Sequence, residues 1–118
     1  MSNPARSWGE VSTKPLTLEA IRHLYADSSK FRVSRNAYGA GIRFSGSHRA
    51  GRVYVISGAF RLQQCGLATE LSAGMFCDFP AGAFEFQVTG DEPVELVNVW
   101  KFTFDDTGKL IGTSSLDD

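Results

Sequence analysis

The sequence has few of the features that mark secreted proteins, zinc proteins or nucleic-acid-binding proteins. It has two cysteines in 118 residues, and Cys65 and Cys77 belong to no CxxC pair or Cys/His cluster. We therefore expect both thiols to stay reduced, with no disulfide framework and no zinc site of the usual spacing. Lys and Arg number 12 against 13 Asp and Glu, which gives a formal net charge of −1. That balance disfavours nucleic acid and anionic membranes as partners.

Long apolar runs are also missing. No stretch approaches the length that spans a bilayer, and residues 1–10 carry no apolar segment typical of a signal peptide. We therefore expect a cytoplasmic protein. The sequence has no nucleophile elbow, phosphate loop or dinucleotide glycine pattern, which argues against covalent and nucleotide-dependent catalysis.

The hydrophobic content, 42% of 118 residues, is enough to form the core of one domain. Residues 1–15 are polar and form an arm that either frays or docks on a neighbouring subunit through Trp8. Residues 16–112 form the folded domain, and residues 113–118 form a polar tail that we do not expect to order itself. Thr17 is a good N-cap for one short helix, because Leu18, Ile21 and Tyr25 follow at helical spacing.

From Phe31 onward the pattern changes to short runs of Val, Ile, Phe and Tyr separated by Gly, Ser, Asn and Asp, which is typical of antiparallel strands. A last hairpin over residues 102–111 turns at residues 106–109. The fold class is therefore all-β, a barrel or sandwich with one short N-terminal helix. The predicted strands are residues 31–35, 41–45, 52–57, 60–64, 68–71, 75–79, 84–89 and 94–104.

Residues 74–85 carry a specific spacing. They read GMFCDFPAGAFE, so that Gly74, Pro80, Gly82 and Glu85 follow the pattern Gly-x5-Pro-x-Gly-x2-ligand. This resembles the second signature of the cupin β-barrels, in which a histidine usually stands at the position of Glu85. Proline and glycine at this turn have a structural reason, since proline fixes φ and glycine tolerates dihedral angles that other residues resist.

A second resemblance lies upstream in the chain. Gly39, Ser45, Ser47, Gly51 and Gly58 stand at the spacing of the first cupin signature, Gly-x5-His-x-His-x3-Glu-x6-Gly. Gly39 and Gly58 match the conserved glycines of the signature. Ser45, Ser47 and Gly51 stand where the family has its metal ligands. The resemblance covers residues 39–102, and it implies an antiparallel jelly-roll barrel that holds a ligand in its mouth and often forms a homodimer.

The resemblance does not carry a metal site with it. Hydroxyl groups are weak ligands, and imidazole supplies most of the affinity in such sites. We therefore expect no metal and no cofactor. His48 lies one position away from Ser47, and a shift of one residue on a strand turns a side chain to the opposite face. We therefore interpret His48 as a loop or surface histidine.

The positions of the missing ligands suggest a different site. If Glu85 faces the barrel interior, strand alternation turns Gln87 inward too and aligns Arg43 with both serines. Glu85 is then the candidate catalytic acid or base, because burial raises a carboxyl pKa towards neutrality unless a cation offsets it. The candidate ligand-binding residues are Arg43, Ser45, Ser47, Gln87, Tyr38 and Asn98.

Three functions stay open on this sequence, and it does not decide whether the protein is an enzyme. One is a metal-independent isomerase, epimerase or dehydratase that binds a small polar molecule and uses Glu85. The second is a non-catalytic cupin that serves as a ligand-binding or dimerisation module, with Glu85 and Arg43 paired only with each other. The third rests on residues 102–111, which are similar to the last hairpin of polyketide-cyclase-like α+β cone proteins.

Overall fold

The computed structural model of the chain describes residues 5–114 and 116. In that part, α1 (Leu18–Leu24) is the one α-helix, preceded by a 3-10 turn at Trp8–Glu10. The strands are β1 (Arg6–Ser7), β2 (Phe31–Tyr38), β3 (Arg43–His48), β4 (Gly51–Ser57), β5 (Ala59–Gln64), β6 (Leu67–Ser72), β7 (Met75–Phe79), β8 (Gly82–Val88), β9 (Val94–Phe104) and β10 (Leu110–Ser114).

The strands form two sheets, and within each sheet every pair of neighbouring strands is antiparallel. One sheet has six strands in the order β1-β7-β4-β9-β10, with β2 also paired to β9. The other has four strands in the order β3-β8-β5-β6. This confirms the predicted class, an antiparallel jelly roll with one short helix. The α+β cone is wrong for this chain, because α1 is the one α-helix among residues 5–114 and 116 and the strands form two sheets, not one curved sheet.

Apolar side chains pack on both faces of the six-stranded sheet. Between the two sheets lies the barrel core, which includes Val53, Val55, Phe60 and Phe86. On the opposite face of the six-stranded sheet lies an outer cluster, which consists of Trp8, Ile21, Tyr54, Phe76, Val97 and Val99. Alternation along β4 explains the division, because successive side chains of a strand point to opposite faces of its sheet.

The helix and the amino-terminal arm cover the outer cluster. The Thr17 side chain accepts a hydrogen bond from the Ala20 N–H at 3.1 Å, as expected of an N-cap. Ile21 is fully buried on the side of α1 that faces the sheet. Trp8 is buried too, and its indole N–H donates to the Lys14 carbonyl at 2.7 Å. The described part of the arm therefore docks on the chain's own sheet, through β1 and Trp8.

A polar group borders the outer cluster. Arg52 donates two hydrogen bonds to Asp78, at 2.5 and 3.0 Å, and one to the Tyr25 hydroxyl at 3.2 Å. The hydroxyl oxygens of Tyr25 and Tyr54 lie 2.6 Å apart. Burial raises the pKa of Tyr54, so that its phenol stays protonated at neutral pH. The helix is thus tied to β4 and β7 by polar contacts as well as by packing.

Most strand bounds lie within two residues of the prediction. The exceptions are β2, which ends at Tyr38 and not at residue 35, β3, which ends at His48 and not at residue 45, and the two ends of the chain. The pairing of β1 with β7 was not predicted, because Arg6 and Ser7 lack the apolar alternation of a strand. The last strand runs on to Ser114 and so includes the first two residues of the predicted tail. Residues 115, 117 and 118 of that tail lie outside the described residues. No helix in the described part is long and apolar enough to cross a membrane.

Candidate functional site

The register of β3 on β8 decides which side chains enter the barrel. Phe44 lies opposite Phe86, and Ser45 lies opposite Glu85. Phe86 is buried in the barrel core and Phe44 packs against it, with ring centroids 4.9 Å apart. Since side chains alternate along each strand, Ser45 and Glu85 must point to the outer face of the four-stranded sheet.

The inward orientation expected for Glu85 is therefore wrong. Glu85, Gln87, Arg43 and Ser45 are all exposed on the outer face of the four-stranded sheet. The structure does bring them together there, since Arg43, Glu85 and Gln87 line one groove and Ser45 lies opposite Glu85. The physical reason is hydrophobic burial: one face of β8 must enter the core, and the phenylalanine face gains far more from leaving water than the polar face does.

The barrel itself holds a half-open pocket of about 150 Å³. Three of the predicted ligand-binding residues, Tyr38, Ser47 and Asn98, line it. Tyr38 ends β2 and Ser47 lies on β3, and in the described sheets each of these strands pairs on one side alone. The pocket therefore lies beside two edge strands. The other lining residues are Phe44, His48, Val53, Phe60, Leu62, Phe79, Phe84, Phe86, Leu96 and Trp100.

Aromatic rings form most of the pocket wall, and they contact one another in a chain. The Tyr38 ring lies 5.1 Å from that of Phe86, which stacks on Phe60 at 4.8 Å. Phe44 meets Phe84 edge to face at 6.0 Å. Such ring pairs add about 0.5–1.5 kcal/mol each beyond the area they bury, so the wall is held in place by its own packing.

His48 is the pocket residue whose position the sequence interpretation missed. It is half-buried inside the barrel, with its ring 4.2 Å from the Phe79 ring and 4.4 Å from the Phe84 ring. The alternation argument was right that His48 and Ser47 face opposite ways, but the inward and outward faces were exchanged. The signal that could have found this is the run Phe44-x-Gly46-x-His48, which shares one face of β3.

The environment of His48 favours the neutral imidazole. Burial lowers the pKa of His48, an effect that the backbone of His48 and Pro80 opposes in part. Both ring nitrogens are shielded from solvent. The backbone of His48 and Pro80 lies near the ring, but among the described residues neither nitrogen makes a hydrogen bond of ordinary geometry. Buried polar atoms of this kind are costly, and in native proteins they are enriched at functional positions.

The residues inside the barrel do not fit a transition metal. Gly46 and Phe84 lie on the inward face beside the signature positions and offer no ligand atom. At Gly51 a Cβ atom would lie 2.8 Å from Trp100 Cδ1 and 2.9 Å from Phe79 Cζ, so two rings fill the space that a glutamate would need. Among residues 5–114 and 116, no three His, Cys, Asp or Glu side chains group where they could hold a metal ion.

A second cavity of about 220 Å³ shares Leu62 and Phe79 with the barrel pocket. Both cysteines line it, Cys65 being exposed and Cys77 buried. Burial raises the pKa of the Cys77 thiol to about 12, so this thiol is a packing group and not a nucleophile at neutral pH.

No family model matches the sequence, and no curated protein matches it at a significant level. Solved structures do match. The cupin domain of an XRE-family transcriptional regulator from Enterobacter cloacae is 18% identical with a TM-score of 0.55, over 62% of this chain and 82% of that one. A cupin protein from Bacteroides fragilis is 25% identical with a TM-score of 0.50, over 59% and 64%.

A third similar structure is that of a DMSP lyase, 23% identical with a TM-score of 0.52. The match covers 60% of this chain but 38% of the lyase chain, so it compares the barrel alone. Likeness at these identities establishes the arrangement of strands. The two sheets, their strand order and these neighbours agree, and the chain therefore has the cupin fold.

Proposed function

We propose that this protein binds a small molecule inside the barrel, without a metal. The observation that carries the proposal is the half-open pocket, whose mostly aromatic wall also presents the polar groups of His48, Asn98 and Tyr38. Binding pockets in proteins have this composition, mostly apolar with a few polar groups that orient the ligand.

The fold does not choose between catalysis and binding, since its neighbours include both a lyase and the cupin domain of a regulator. The site favours binding. The predicted acid or base, Glu85, lies on the outer face of the sheet, where it cannot contact a ligand in the barrel. Asp, Glu, Lys and Arg are all missing from the residues that line the pocket, which leaves His48 and Tyr38 as its candidates for proton transfer.

The test is a fragment screen by two-dimensional NMR on wild type, Asn98→Phe and Glu85→Gln. Asn98 is half-buried in the pocket wall, so a phenylalanine there occupies the ligand's space. Glu85→Gln is the matched control on the outer groove. We expect fragments of about benzene size to shift the resonances of pocket residues in wild type and Glu85→Gln but not in Asn98→Phe. Fragments that bind only the outer groove, or none that bind at all, would overturn the proposal.

The homodimer and the cytoplasmic location that the sequence suggests also stay predictions. A homodimer follows from the family resemblance, and sedimentation of the purified protein tests it. A cytoplasmic location follows from the amino-terminal sequence, and fractionation of cells tests that.

A further inference from the structure

We infer that the ligand class of the barrel pocket is a neutral, monocyclic aromatic molecule with one hydrogen-bonding substituent, of the size of phenol. The inference rests on the proposed function and narrows it to a substrate class. Four features of the pocket carry it: its volume, its rings, its lack of charge and its buried polar atoms.

Volume sets the size of the ligand. An apolar cavity of about 150 Å³ is known to bind benzene, whereas pockets for drug-sized ligands run from about 300 to 1,000 Å³. The barrel pocket measures about 150 Å³. One six-membered ring therefore fills the enclosed part of the pocket.

The rings set the shape of the ligand. Phe44, Phe60 and Phe86 form a stack in which neighbouring planes are inclined by only 23° and 24°. Rings prefer offset-stacked or edge-to-face neighbours, and each such pair adds about 0.5–1.5 kcal/mol beyond buried area. A flat aromatic ligand continues this packing, while a saturated ring of equal size makes poorer contact.

The absence of charge sets the ionisation state. The lining residues include no Asp, Glu, Lys or Arg, and burial holds His48 towards its neutral form. The Arg32 guanidinium lies over the Trp100 ring, 5.9 Å from its centroid, but Arg32 is not itself a lining residue. A carboxylate or ammonium ligand would lose its hydration without gaining a paired charge.

The polar atoms set the position of the substituent. The two ring nitrogens of His48 are buried without a partner among residues 5–114 and 116. Asn98 adds an amide to the same wall and is half-buried. A neutral imidazole offers one donor and one acceptor, and an amide offers both as well. The Asn98 amide can therefore bond a single hydroxyl group on the ligand, in the part of the wall that the His48 ring adjoins.

The experiment compares the dissociation constants of phenol, toluene, cyclohexanol, benzoate and benzylamine for wild-type protein, with the site mapped by NMR. We expect phenol to bind about tenfold tighter than toluene, the equivalent of one good hydrogen bond. Cyclohexanol should bind several-fold more weakly than phenol because it lacks the flat ring. Benzoate and benzylamine should bind at least about thirtyfold more weakly than phenol.

Variants then assign the polar contact. In Asn98→Leu, which is close in shape, the preference for phenol over toluene should fall to about threefold or less. Gln63→Leu makes the matched change on the outer face, where Gln63 is exposed, and should keep the wild-type preference. The wild-type comparison does not depend on any variant folding.

The outcomes separate the two proposals. If none of the probes binds in the barrel, the proposed function and this inference both fail. If benzoate, benzylamine or cyclohexanol binds there as tightly as phenol, the proposed function stands and the ligand class is wrong. If toluene matches phenol, the ligand is aromatic but the polar substituent is wrong.

Discussion

The imidazole of His48 lies nearly parallel to the ring of Phe84, with centroids 4.4 Å apart and 16° between the planes. Phe79 packs on it as well, at 4.2 Å. An imidazolium held between two phenylalanine rings would need acceptors for two N–H groups, and neither nitrogen has a partner in the described part of the chain. Protonation of this one side chain therefore opposes the packing of the barrel.

Stability should fall with acid through His48. Burial lowers its pKa in the folded state below the ordinary value of 6.5, so the unfolded chain takes up a proton first as pH falls. The contribution of His48 to the free energy of unfolding is then constant above about pH 6.5 and declines below it. The slope of that decline corresponds to the uptake of at most one proton on unfolding. Urea denaturation from pH 7.5 to 5 measures the slope.

In His48→Gln that contribution to the slope should disappear, while in His23→Gln it should persist, because His23 is exposed on the surface of α1. Equal slopes in wild type and His48→Gln would show that the buried imidazole does not control the acid sensitivity.

Gly51→Ala should destabilise the protein by about 1–3 kcal/mol through overpacking. Its Cβ would meet the Val99 carbonyl oxygen at 2.8 Å, and backbone cannot rotate away. Gly39→Ala is the control, since the atom nearest to a Cβ there is a side-chain carbon of Ile42 at 3.9 Å. Urea denaturation of both variants measures the difference, and a Gly51→Ala protein as stable as Gly39→Ala would contradict the close packing.

Asp78→Asn should cost about 1–3 kcal/mol, because the Arg52 side chain is only 8% exposed and its bidentate carboxylate partner loses its charge. Glu70→Gln alters a pair with Arg61 whose side chains are 47% and 67% exposed, and should cost less than about 0.5 kcal/mol. Thermal denaturation of the two variants side by side gives the comparison, and similar losses would mean that burial of Arg52 adds nothing.

The thiols should differ in reactivity. Cys65 is exposed, whereas Cys77 is 1% exposed and its pKa is raised to about 12. We expect one thiol per native chain to react quickly with a disulfide reagent, and none in Cys65→Ser until denaturant is added. Rapid reaction of Cys65→Ser without denaturant would show that the second cavity opens to solvent.

The sequence predicts the strands well, because each is bounded by turn residues and rich in β-branched or aromatic side chains. Bounds at residues 75–79 and 94–104 agree with β7 and β9. The helix start at Thr17 agrees too. These features are local, since caps, turns and alternation act within a few residues of the chain.

The facing of the strands could not be predicted from the signature alone. The family spacing assigned Ser45 and Glu85 to the interior, while the alternation of Phe84 and Phe86 assigns Glu85 to the exterior. Either face of β8 could point inward as far as alternation is concerned. Which face does so depends on which set of side chains gains more from burial in the core. Here the phenylalanines prevail, because burying a large ring stabilises the fold and burying an unpaired carboxylate does not.

The alternation along β4 has a consequence for how the chain unfolds. Val53 and Val55 belong to the barrel core, and Tyr54, between them, belongs to the outer cluster beneath α1 and Trp8. If the arm and helix detached, Tyr54 would lose its cover and β4 would lose one of its two supports. The slowest amide hydrogens to exchange with deuterium should therefore lie on β4 and its neighbours β7 and β9, and they should all exchange together.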